Sequence, residues 1–167
     1  MTPHRAYLFG LAHLSRLRNA PSLRLEAQGL FSKRVRSLSL GGLVPGVYWV
    51  RLWFRTDREG FVTQLWVVER RLLFGAPTPR MNRYQVPVGG LAGLPPLEFS
   101  LRGEWLGAHE GVGRVLIRPQ DPLETLPFVV RFLLRRPHLA PEPGEVVLVR
   151  GHLERGRLVG EVLLDRV

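Results

Sequence analysis

Apolar and polar residues alternate with a period of two over much of the chain, and β-branched and aromatic residues fill the runs between turn clusters. This pattern is the mark of strands that turn one face to a core. In the first half it predicts strands near 5–12, 23–31, 34–40, 47–56, 61–70 and 83–88. In the second half it predicts strands near 97–106, 112–118, 127–134, 145–153 and 157–166. The clearest hairpin joins 47–56 to 61–70 through Asp57-Arg58-Glu59-Gly60, and Glu154-Arg155-Gly156 turns the last pair. Residues 3–18 also admit a helix, with Thr2 as N-cap and Pro3 at its first position, although strand is preferred. The expected fold is therefore all-β with little helix, as two small five-stranded barrels in tandem, because short sheets hide their edges by closing.

The boundary is expected in VGGLAGLPP, residues 88–96, where three glycines loosen the chain and Pro95-Pro96 stops any element. This gives domains at 1–92 and 93–167. An internal echo supports duplication. Pro45-Gly46 leads an apolar strand ending at Arg51, then a charged turn and a return strand; Pro143-Gly144 leads another ending at Arg150, with the same sequel.

Composition narrows the function. Of 167 residues, 18 are Gly and 14 are Pro, which suits many turns, and 45% hydrophobic against 23% charged residues suits a packed core. The absence of cysteine excludes disulfide scaffolds, zinc fingers, iron–sulfur clusters and thiol catalysis. The five histidines (4, 13, 109, 138, 152) show no helical i,i+4 spacing and no HExxH, so no metal or other cofactor is expected. Neither GxxxxGK[ST], GxGxxG nor GxSxG occurs, and the carboxylates are not clustered as a two-metal nuclease needs. The chain is expected not to be an enzyme. The uncharged stretch Leu38–Val50 is broken by Pro45 and three glycines and is too short to span a bilayer. A soluble, cytoplasmic protein is expected.

Charge adds the decisive asymmetry. The net charge is +10, and 23 of the 24 cations are Arg. Residues 1–97 hold 14 cations and 4 anions; residues 98–167 hold 10 of each. The first half also holds 11 of the 15 aromatic residues. A segment both basic and rich in rings suits phosphates and stacked bases. The neutral second half is expected to be scaffold, dimer interface or protein-binding module.

The candidate site lies on Tyr48–Arg55. Strand alternation puts Tyr48, Val50, Leu52 and Phe54 on one face, and Trp49, Arg51, Trp53 and Arg55 on the other. Rings stack on bases and guanidinium groups hold the backbone between them, which is what a groove for unpaired nucleic acid requires. The next strand is expected to add Gln64, Trp66 and Arg70. Lys33, Arg34 and Arg36, then Arg80, Arg83 and Tyr84, could continue the path. The competing reading packs Trp49, Trp53 and Trp66 beneath another segment or in a dimer interface.

Several segments resemble the oligonucleotide/oligosaccharide-binding (OB) fold of the single-stranded-DNA-binding protein family. In the second half these are LEFSLRGEWLG (97–107), PFVVRF (127–132) and PGEVVLVRGHLE (143–154); in the first they are AYLFGL (6–11) and VYWVRLWFR (47–55). On this reading that family's acidic C-terminal tail is not expected, since the last residues, Asp165-Arg166-Val167, fall at the end of an expected strand. The resemblance implies two OB-like barrels and sequence-tolerant binding of single-stranded DNA in replication, recombination or repair. It also implies a homodimer and a replication or repair protein as partner. An RNA- or ribosome-associated binder and an adaptor that uses the Trp/Arg face are the alternatives.

Overall fold

The computed structural model describes residues 3–16, 23–37, 43–74, 94–119, 126–135 and 141–164. Ten strands account for most of them, and no helix occurs among the described residues. The first five are β1 (Arg5–Arg16), β2 (Leu23–Ala27), β3 (Phe31–Ser37), β4 (Gly46–Thr56) and β5 (Val62–Phe74). The second five are β6 (Glu98–His109), β7 (Val112–Ile117), β8 (Phe128–Leu134), β9 (Val146–Glu154) and β10 (Arg157–Leu164). Residues 5–16 form β1, so the helical alternative for the N-terminus is set aside. The strand expected at 83–88 lies outside the described residues, as do residues 88–93 of the expected boundary.

The architecture is all-β, with a closed five-stranded barrel and further strands. β1 pairs with β2, β2 with β3, β3 in parallel with β5, β5 with β4, and β4 back with β1. The remaining strands pair in the corresponding order. β6 pairs with β7, β7 with β8, β8 in parallel with β10, β10 with β9, and β9 with β6. The hairpin turns form where their chemistry demands. Asp57 Oδ1 accepts hydrogen bonds from the backbone N–H of Glu59 (2.9 Å) and Phe61 (3.0 Å), and Gly60 takes φ +93°.

The two sets of strands share one sheet. β1 and β6, the first strand of each set, pair antiparallel from Arg5↔Arg102 to Phe9↔Glu98. The β4–β5 turn also docks on the β9–β10 hairpin. Val62 N–H donates to Gly156 O (2.9 Å) and Leu158 N–H to Gly60 O (3.0 Å), and the β2–β3 turn adds Gly29 O, which accepts from Gly156 N–H (2.6 Å). Gly29 sits at φ +85° against the Leu153 carbonyl, where a side chain has neither the conformation nor the room. Leu8, Leu52 and Phe54 of the first set and Phe99, Val149 and Phe132 of the second belong to a single buried cluster.

One tether near the N-terminus titrates. The His4 ring accepts a hydrogen bond at Nδ1 from the Arg118 backbone N–H (3.0 Å). Partial burial, then the nearby Arg118 charge, push the His4 pKa below its ordinary 6.5. The unfolded chain therefore takes up this proton at a higher pH than the folded one does, so folded stability declines as pH falls through about 6.5. His4→Gln should flatten the thermal midpoint between pH 7.5 and 5.5 relative to the unsubstituted chain.

Candidate nucleic-acid interface

Alternation along β4 places its side chains as the sequence pattern requires. Tyr48, Val50, Leu52 and Phe54 are buried, whereas Trp49, Arg51, Trp53 and Arg55 are half-buried on the outer face. Trp66 of β5 is half-buried as well and pairs directly with Trp53 across the strands. Their rings meet edge to face, with centroids 5.9 Å apart at 65°. Such edge-to-face pairing is a favoured arrangement of aromatic rings. The fourth tryptophan, Trp105, is buried against Phe132 in the core.

The arginines of the stripe are held in position by neighbours. Arg51 pairs with Glu69 (3.2 Å), and its guanidinium carbon lies 4.7 Å from the centre of the Tyr7 ring. Arg55 lies 3.7 Å from the Phe128 ring centre and 4.8 Å from that of Trp53, and it donates from Nη1 to the Phe54 carbonyl (2.9 Å). Burial lowers its pKa, but a guanidinium stays charged. Arg55 thus braces β4 against β8, while Arg51 stands over the outer surface with a side chain 39% exposed.

A β-bulge rearranges the neighbouring strand. Arg51 pairs with Glu69 and Leu52 with Val67, which leaves Val68 as an extra residue. Past this point the phase of β5 flips. Glu69 and Arg71 come to lie beside Arg51 and Trp49, while Arg70 lies opposite the buried Val50. Arg71 is exposed and approaches the Trp49 ring to 5.8 Å. Gln64 keeps its expected place opposite Arg55. Lys33, Arg34 and Arg36 lie on β3, away from β4, and only their backbone is described. Arg80, Arg83 and Tyr84 lie outside the described residues.

Trp49 and Arg51, at one end of the Trp/Arg face, line a groove of about 800 Å³ over the β1–β6 seam, whereas Trp53, Arg55 and Trp66 stand outside it. Tyr7, Phe9 and Trp49 line it from the first set of strands, and Arg135, Arg150 and His152 from the second. Sequence reasoning overlooked the β1 contribution, although Arg5, Tyr7 and Phe9 alternate along one strand face and could have been found that way. Arg135 and Arg150 join the groove only through the seam, which no local pattern announces. Among the described residues, no group of His, Asp or Glu side chains is arranged to hold a metal ion. No helix there is long and apolar enough to cross a membrane. Comparison with family models, curated proteins and solved structures gives no match to this chain.

Proposed function

We propose that this chain is a non-enzymatic, sequence-tolerant binder of single-stranded nucleic acid, with DNA as its first ligand. In this reading the two circuits of strand pairing are two OB-like barrels in tandem. Their shared order, including the parallel closing pairs β3–β5 and β8–β10, supports that assignment. One observation carries the functional reading: three half-buried rings, Trp49, Trp53 and Trp66, stand on an outer wall with Arg51 and Arg71 between and beside them. The indoles would stack unpaired bases and the guanidinium groups would hold phosphates. Service in replication, recombination or repair, a homodimer and a protein partner from one of those processes belong to the same proposal.

The test is fluorescence anisotropy with labelled single-stranded DNA, single-stranded RNA and duplex of matched length. Single-stranded DNA should bind most tightly, and log affinity should fall against log salt by about 0.7 per phosphate neutralised. Preference for RNA would move the assignment to an RNA-associated binder. No binding to any of the three would leave the adaptor reading, in which Trp and Arg anchor a protein interface.

A further inference from the structure

The groove crosses between the two sets of strands, and its outer surface is continuous there. Hydrogen-bond register lines up Glu69, Arg51, Phe9, Glu98, His152 and Val159 in one row across β5, β4, β1, β6, β9 and β10. The adjacent row carries Tyr7, Ser100, Arg150 and Glu161. At about 4.8 Å per strand the six-strand row is roughly 24 Å long, ample for several nucleotides. Four arginines, Arg5, Arg51, Arg135 and Arg150, face the groove against two glutamates. Both glutamates, Glu98 and Glu161, and two of the arginines, the exposed Arg135 and Arg150, come from the second half, so the positive excess of the groove is that of Arg5 and Arg51.

Tyr7, Phe9 and Trp49 line the same groove, where bases could lie on their rings while the arginines hold the phosphates between them. Resting on the single-strand reading above, we infer that the bound strand runs across the β1–β6 seam. Arg135 and Arg150 of the second half hold its phosphates together with Arg5 and Arg51 of the first. The second half is then part of the binding surface and not only a scaffold.

Both Arg135 and Arg150 are exposed, so Arg135→Ala/Arg150→Ala in the full chain should keep its fold and thermal midpoint. The charge-matched control is Arg58→Ala/Arg114→Ala, two exposed arginines that do not line the groove. With a labelled oligo(dT) probe at low salt, the groove variant should bind about tenfold or more weakly. Its salt slope should drop by about 1.4, the value for two phosphate contacts, while the control changes less than about twofold. Equal affinities for the two variants would overturn the seam path and leave single-strand binding standing. An unsubstituted chain that ignores oligo(dT) would overturn both.

Discussion

Gly151→Val should lower the thermal midpoint by roughly 6–12 °C, in one transition, with no separate melting of either half. Gly151 faces Gly160 across the β9–β10 hairpin and Phe99 across the β6–β9 ladder. An added Cβ would run into the Val159 carbonyl, and would lie 2.6 Å from Gly160 Cα and 2.7 Å from the Phe99 ring. Phe99 is itself 1% exposed and packs against Phe132 at 6.2 Å, so it has nowhere to retreat. Overpacking of a tight core costs about 1–3 kcal/mol, and a backbone clash puts this site at the upper end. About 3 kcal/mol corresponds to the stated fall for a chain of this size. The single transition follows from a buried cluster that includes residues of both strand sets and from the seam hydrogen bonds between them. Scanning calorimetry or circular dichroism melting would check it. Two resolved transitions would show that the halves unfold separately.

Trp49→Ala and Trp53→Ala should each weaken single-strand binding about tenfold, and together about a hundredfold, while the fold survives. Stacking of a base on an aromatic ring is worth about 1–3 kcal/mol, and 1.4 kcal/mol is a factor of ten. The two rings sit four residues apart on β4, about 13 Å, so their losses should add. Stability should change little for Trp49. Trp53→Ala additionally gives up its edge-to-face contact with Trp66, worth about 0.5–1.5 kcal/mol. Anisotropy titration of the single and double variants, beside thermal melts, separates loss of binding from loss of fold. A collapse of the folded state on losing Trp53 would place that ring in the supporting structure.

The local parts of the fold and of the site are legible in the residues. Alternation through Tyr48–Arg55 set the buried and outer faces of β4, and Asp57 with Gly60 marked its turn, because these depend on neighbours in sequence. What failed to show depends on distant partners. The β1–β6 seam joins residues from Arg5↔Arg102 to Phe9↔Glu98, far apart in the chain, and no feature of either strand names the other. The extra residue at Val68 exchanged Arg70 for Glu69 and Arg71 beside the Trp wall, a slip that strict alternation cannot anticipate. Arg55, grouped with the phosphate-holding residues on alternation alone, also lies against Phe128 from the other half, a contact that no local pattern announces. The charge division between the halves described totals correctly and still concealed Arg135 and Arg150, whose importance comes from position.

Single-strand binding by this wall requires indoles that bases can reach, and intrinsic tryptophan fluorescence reads this directly. Three of the four tryptophans stand on the outer wall and Trp105 is buried. Titration with oligo(dT) should therefore quench most of the emission, in a salt-dependent manner. A Trp49→Phe/Trp53→Phe/Trp66→Phe chain, left with Trp105 alone, should show almost no change. Unchanged emission from the unsubstituted chain at saturating oligo(dT), or equal quenching in the triple variant, would contradict the account.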